Sequence, residues 1–320
     1  MKIDDLTFEE PTYILDEENT DIEKWRRENP MDYFKALHLL LSAGEQFPDA
    51  RGIVMEEMFK GIYKVTRCYI PDVLYKFYSL TNDDEINEKK IKTLEQDQIF
   101  MSEIKDFNDP FDGKAFFYNP QQLKDIKRLS CYEGRIIDDF TTFHKGTAFT
   151  ENDITCMPMW AHYSNNHQGF CVAYDMKHPK NQVLSACTFP VQYTEQRLDI
   201  TSFMKEYANN VSSEIDIQMN EGNKRILIDP SIIFVSQCLC YMKHSSWQYE
   251  KEFRCSMAAN ADGMPYVEAV AKAIYIGLKC NVEKREKLID IARKKNIPIF
   301  QMKFNEVSEE YELEAELIEH

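Results

Sequence analysis

Met159-Trp160-Ala161-His162-Tyr163-Ser164-Asn165-Asn166-His167-Gln168-Gly169-Phe170-Cys171-Val172-Ala173-Tyr174 runs from an aromatic cluster through a polar loop into an apolar stretch. The order predicts a short helical turn that delivers His162 and Tyr163 to a sheet. Gly169 lets the chain enter the next strand. Upstream, Leu74-Tyr75-Lys76-Phe77-Tyr78-Ser79-Leu80 reads as a strand with Tyr75, Phe77 and Ser79 on one side and Lys76 and Tyr78 on the other. A helix is expected over 84–97, a strand over 99–102 and a turn-rich loop over 107–113. Downstream, strands are expected over 148–150, 169–174, in pieces over 183–193, over 253–258 and over 269–276. Long helices are expected over 194–220 and 226–244, and a helix-strand pair over 283–304. This pattern is α+β: a mixed, mainly antiparallel sheet with helices, plus an N-terminal helical extension.

The domain reading follows from composition. Residues 1–70 form an acidic lead-in, with Phe8, Tyr13 and Trp25 as aromatic anchors, and a helical hairpin between Asp32 and Thr66. Residues 71–304 form the α+β domain, and residues 305–320 an acidic tail whose like charges favour a solvated end. The net charge of −16 is concentrated at the two ends: residues 1–31 hold ten acids and four bases, and residues 305–320 hold seven acids and no Lys or Arg. A near-neutral centre inside acidic ends argues against sequence-independent grip on nucleic acid, which needs rows of cations. Nine cysteines without a CxxC pair or zinc-ligand spacing point to the cytoplasm. The acidic N-terminus and the lack of a long apolar run imply neither export nor a membrane partner.

Four segments carry candidate chemistry. In Phe107-Asn108-Asp109-Pro110-Phe111-Asp112, an amide and two carboxylates, Asn108, Asp109 and Asp112, sit in a turn that is either a rigid loop or the mouth of a pocket. In the Met159 to Tyr163 turn, Trp160, His162 and Tyr163 are either a buried, satisfied group or a ligand-binding and proton-transferring one. In Trp247-Gln248-Tyr249-Glu250-Lys251-Glu252-Phe253-Arg254, an extended chain puts Glu250, Glu252 and Arg254 on one face, with one carboxylate paired to Arg254. Tyr75 and Lys76 belong to the first strand, where Lys76 is either a snorkelling edge residue or an anion receptor. One cleft built from all of these is expected. Neither a Gly-rich phosphate loop, nor a GxSxG turn, nor an HExxH motif occurs, and His162 and His167 have no metal-binding helical spacing.

Taken together, LYKFYSL, IFMSEIKDFNDPFDG, MPMWAHYSNNHQGFCVAYD, WQYEKEFRC and AIYIGLKC resemble, in that order, the bacterial domain-of-unknown-function (DUF) family 2971 over about residues 74–303. Members often carry an arginine at the position of Tyr78, and Cys-Phe-Ser where this chain has Ala148-Phe149-Thr150.

A further likeness is to ADP-ribosyltransferases: a basic residue in a first strand, a His or aromatic in the middle and a glutamate on a late strand. It implies an NAD-using transferase or NAD glycohydrolase in a phage-defence or toxin-like setting. Lys76 would then meet the pyrophosphate, His162 and Tyr163 the ribose and nicotinamide, and Glu250 or Glu252 the reacting sugar. NAD would be a substrate, with no resident cofactor assigned. Two other classes compete: a non-catalytic sensor module binding a nucleotide or peptide, and a metal-dependent nuclease using Asp109, Asp112 and Glu250.

Overall fold

A computed structural model describes residues 21–33, 69–136, 140–223, 231–258 and 265–319. The expected hairpin between Asp32 and Thr66 and the anchors Phe8 and Tyr13 lie almost wholly outside them. The chain divides into two compact units, one of Ile70–Asp112, Thr141–Tyr193 and Lys243–His320, the other of Met1–Tyr69, Gly113–Phe140 and Thr194–Met242.

The first unit holds a nine-stranded sheet. Its strands are β1 (Val73–Tyr78), β2 (Ser102–Glu103), β3 (His144–Thr150), β4 (Phe170–Asp175), β5 (Thr188–Pro190), β6 (Glu252–Ala258), β7 (Ala271–Ile276), β8 (Ile299–Phe304) and β9 (Leu313–Glu319). They lie in the order β9-β8-β7-β4-β1-β3-β6-β5, with β2 beside β3. Only β7 and β8 are parallel, and helix α3 (Val282–Lys295) connects them, as a parallel crossover requires. The mixed, mainly antiparallel sheet expected from the sequence is therefore present.

Side-chain alternation along the strands sorts the two faces. Leu74, Tyr78, Val172, Tyr174 and Ile274 belong to one core cluster, to which helix α1 (Asp84–Glu95) adds Ile91 and Leu94 and α3 adds Leu288 and Ile291. Asp83 caps α1 by accepting from the Ile86 amide, and Lys284 and Lys287 of α3 reach Glu88 of α1 at 2.9 and 2.8 Å. Phe77, Cys171 and Met302 belong to a second cluster, covered by helix α2 (Met157–Tyr163) through Met159 and Trp160. Burying each such side chain contributes about 1.5–3 kcal/mol. This second face carries the candidate site.

The polar loop after α2 turns sharply because Asn165, Asn166 and His167 all adopt left-handed φ values of 52°, 53° and 68°. Asn tolerates that region better than most residues. The chain then passes so close to β1 that a Cβ on Gly169 would lie 1.9 Å from the Tyr78 carbonyl oxygen. Gly169 thus permits entry into β4 by close backbone approach.

The second unit packs Leu123, Ile126, Ile200 and Met204 together with Phe116 and Tyr207. Phe116–Phe117 and Leu198–Asp199 form a short parallel ladder, fixed by Arg197 donating through Nε to the Lys114 carbonyl at 2.8 Å. The helix expected from residue 194 starts only at Thr201, because 198–199 is taken by that ladder. The helix expected over 226–244 is described as Ser231–Leu239, and Met242–His244 is a strand. Within the acidic lead-in, Ile22–Glu28 is helical, capped by Asp21, and the Trp25 ring lies 5.2 Å from that of Tyr69.

The acidic tail also differs from expectation. Leu313–Glu319 is the edge strand β9, paired antiparallel with β8, and Leu313 is buried. Glu314 and Glu316 are exposed and alternate with Leu313 and Ala315, and charges along an edge strand discourage pairing with other chains.

Candidate functional site

A half-open cavity of about 90 Å³ lies within the first unit where α2, the 107–112 loop, the middle of β1, the end of β3 and the start of β6 meet. Tyr75, Phe77 and Met159 give it an apolar wall, and Asn108, Tyr163, Lys243, Glu250 and Glu252 a polar one. Its volume admits several waters or one ring-sized group.

The polar wall is one continuous chain of contacts. Asn108 donates through Nδ2 to the Tyr163 hydroxyl at 2.9 Å, and that hydroxyl donates to Glu250 Oε1. Lys243 Nζ donates to Glu250 Oε2 at 2.7 Å and to Glu252 Oε2 at 2.9 Å. Arg254 Nε donates to Glu252 Oε1 at 2.6 Å, and another nitrogen of its guanidinium to Asp112 Oδ1 at 2.6 Å. The chain therefore begins and ends in the 107–112 loop. That loop also places the Phe107 ring 5.1 Å from the guanidinium of Arg254.

Local structure explains how Glu250 reaches this wall. It ends a 3-10 turn, Ser245–Glu250, started by His244, whose ring accepts from the Ser246 amide at 3.2 Å. Lys251 then adopts a left-handed φ of 44° before β6 begins at Glu252. The turn is pinned by Thr150 Oγ1 donating to the Glu250 carbonyl at 2.6 Å and by Asn152 Nδ2 donating to the Tyr249 carbonyl at 2.7 Å. The expected extended alternation from Glu250 to Arg254 thus holds only from Glu252. Glu250 joins Glu252 at Lys243 through the reversal at Lys251.

The two carboxylates are driven apart electrostatically. Burial raises the pKa of Glu250 above the ordinary carboxylate range, and Lys243 only partly offsets it. Burial would raise Glu252 as well, but Arg254 and Lys243 outweigh it and hold that carboxyl at about 2. Burial pushes the Tyr163 phenol far up, and the neighbouring Glu250 adds to the shift, so the hydroxyl keeps its proton and donates it. Burial also raises Asp112, against the pull of Arg254.

Several expected site residues stand elsewhere. His162 is exposed and does not line the cavity; its ring lies 6.2 Å from that of Tyr249. Trp160 is fully buried, donates through Nε1 to the Ile154 carbonyl at 2.7 Å and packs edge-on to Phe77, so it is a core residue. Asp109 is buried and accepts from the Phe111 amide at 2.9 Å, which is the rigid-loop reading. Arg254 and Asp112 stand behind Glu252, outside the lining.

Lys76 is not on an edge, since β1 lies between β4 and β3. Its partner across β4 is Val172, so its side chain leaves on the α1 and α3 face. β1 and β3 pair only at Tyr75 and Thr150, and Lys76 Nζ donates to the Ala148 carbonyl at 3.2 Å beside that single register point. Lys76 therefore forms part of the cavity floor, where burial draws its ammonium down to about 8.

Lys243 is the central residue that sequence reasoning missed. It lies in Cys240-Tyr241-Met242-Lys243-His244, which reads as the end of an apolar helix. A lysine inside such a run needs buried anions, and the two glutamates that follow at seven and nine residues are the available ones. Among the described residues no group of three or more His, Cys, Asp and Glu is arranged to hold a metal ion. Of the three carboxylates expected for a nuclease, Glu250 is paired with Lys243, Asp112 with Arg254, and Asp109 accepts from the Phe111 amide. No described helix is long and apolar enough to cross a membrane.

No curated protein matches the chain, and no solved structure does. Residues 159–255 match the family model described as "Protein of unknown function (DUF2971)", a narrower span than the likeness over 74–303. That stretch contains Tyr163 of α2, then Lys243 and both cavity glutamates, so the likeness to this family covers the polar wall of the site.

Proposed function

We propose that the cavity is an active site that breaks an N-glycosidic bond, with NAD as the substrate and nicotinamide as the leaving group. The carrying observation is the split pair: two glutamates on one lysine, Glu250 raised and Glu252 held at about 2. Titratable neighbours pushed apart in this way supply one group that exchanges a proton and one that stays charged.

In this reading the C1′–N bond of the nicotinamide riboside breaks and its electron pair leaves on the nicotinamide nitrogen. The ionised Glu250 faces the positive charge that develops on the sugar. An incoming water or acceptor hydroxyl forms the new bond to C1′ and passes its proton to Glu250, whose raised pKa suits it to receive one. Glu252 remains ionised and shares Lys243, so that the ammonium does not fully neutralise Glu250. Tyr163 and Asn108 hold the Glu250 carboxylate in place. Lys76 adds positive potential from the floor rather than gripping the pyrophosphate. An enzyme that consumes NAD fits a phage-defence or toxin-like role.

A second reading, a non-catalytic module that recognises a nucleotide or a peptide, is favoured by the completeness of the network. Both oxygens of Glu250 and both of Glu252 already have internal partners. Incubation with NAD separates the two. An enzyme releases nicotinamide and loses release in Glu250→Gln at unchanged fold, whereas a sensor shows a thermal shift with ligand and no release in either protein.

A further inference from the structure

We infer that Trp247, Tyr249 and His162 form a base-stacking subsite outside the cavity, which takes the second, purine ring of a dinucleotide. The inference rests on the proposed use of NAD and extends it to residues that do not line the hollow.

The starting point is a mismatch of size. A cavity of about 90 Å³ encloses one ring-sized group, far less than the roughly 300–1,000 Å³ typical for larger ligands. Most of a dinucleotide must therefore lie outside. The exposed surface beside the polar wall is aromatic. His162 lies 6.4 Å from Tyr163, which lines the cavity, and 6.2 Å from Tyr249 on its other side. Tyr249 lies 6.3 Å from Trp247. Trp247 in turn lies against the cavity's own lysine, with Lys243 Nζ 4.7 Å from its ring centroid.

The three rings thus run from one cavity residue, Tyr163, round to another, Lys243, with Tyr249 at the middle. Tyr249 is 40% exposed, although it sits between two rings and directly precedes a buried glutamate. Its backbone is fixed by Asn152, so the exposed ring is presented on a rigid support. Planar heteroaromatic bases stack on such rings with little regard to sequence, because every base has a π-face. The Lys243 ammonium beneath Trp247 polarises the ring that continues the platform. His162, exposed and off the cavity, then acts in recognition of the base and has no part in proton transfer.

Calorimetric titration of the full chain with AMP, nicotinamide mononucleotide and NAD tests this, with Tyr249→Ala and Tyr249→Phe as variants and circular dichroism to establish the fold. AMP and NAD are expected to bind Tyr249→Ala roughly tenfold more weakly than wild type. Nicotinamide mononucleotide should bind both proteins equally, and Tyr249→Phe should restore the tight binding. AMP that does not bind wild type, or binds folded Tyr249→Ala as tightly, overturns the subsite. If AMP binding depends on Tyr249 but nicotinamide is never released, the subsite stands and the glycosidic reaction falls. If release occurs while AMP ignores Tyr249, the reaction stands and the subsite falls.

Discussion

Lys243 Nζ lies 2.7 Å from Glu250 Oε2 with both side chains almost fully buried, and the same ammonium holds Glu252 at 2.9 Å. One lysine therefore lies against two buried anions. Removing one partner of a buried ion pair costs about 3–5 kcal/mol, because the other charge is left uncompensated. Lys243→Met should lower stability by about that amount in urea unfolding at pH 7. Its loss should shrink on acidification: without Lys243 the Glu250 carboxyl holds its proton more strongly in the folded chain than in the unfolded one. A carboxyl raised in this way stabilises the fold as pH falls.

Glu252 gives the opposite sign. Its folded pKa of about 2 lies below the ordinary value, so its contribution is present above roughly pH 4.3 and is lost as pH falls towards 2. Glu252→Gln should be destabilised at neutral pH by about 3–5 kcal/mol, since Arg254 loses its main partner. Its loss of stability below pH 4.3 should be shallower than in wild type. Unfolding midpoints taken from pH 2 to 7 check both points.

Much of this site was legible in the sequence. Period-two alternation in β1 placed Tyr75 and Phe77 on the face that became the cavity wall, and the Met159 to Tyr163 cluster gave α2 with Tyr163 aimed at the sheet. Spacing two apart predicted an Arg254 partner among the glutamates, which is Glu252. His162 stands outside the cavity because a seven-residue helix buries only part of its circumference, and Met159 and Trp160 use that part. Lys243 was hidden in an apolar run, and the approach of Glu250 depends on the φ of one residue, Lys251. The tail misled through its charges, since an edge strand needs only one modestly buried face and β9 supplies it with Leu313 and Ala315.

The left-handed Lys251 makes a test of that turn. A non-glycine residue there carries strain of order 1 kcal/mol, and a β-branched residue carries more. Lys251→Gly should keep the melting temperature and nicotinamide release near wild type. Lys251→Val should lower the melting temperature and reduce release, because Glu250 is no longer delivered to Lys243.

Lys76 predicts a stability effect that grows with acidity. Its folded pKa near 8 lies below the ordinary lysine value, so the unfolded chain binds more protons between about pH 8 and 10.4 and wild-type stability rises through that window. Lys76→Met should remove this rise and be the more stable protein at pH 7. Even after about 1 kcal/mol for the lost hydrogen bond to Ala148, the relief from the enclosed cation should dominate. Urea midpoints of both proteins at pH 7 and pH 10 check it.

Tyr163→Phe removes the hydroxyl that donates to Glu250. That bond favours the ionised carboxylate, so its loss should move the acidic limb of nicotinamide release to higher pH while leaving the fold intact. A pH-rate profile of the two proteins reads the displacement directly.

The split between the two glutamates underlies the whole account, and carbon NMR of the Glu250 and Glu252 side-chain carboxyls as a function of pH measures it residue by residue. The account predicts that Glu250 takes up its proton above the ordinary glutamate range while Glu252 remains ionised down to the acid limit of the fold. Titration of both at ordinary glutamate values, or Glu252 protonating before Glu250 on acidification, contradicts it.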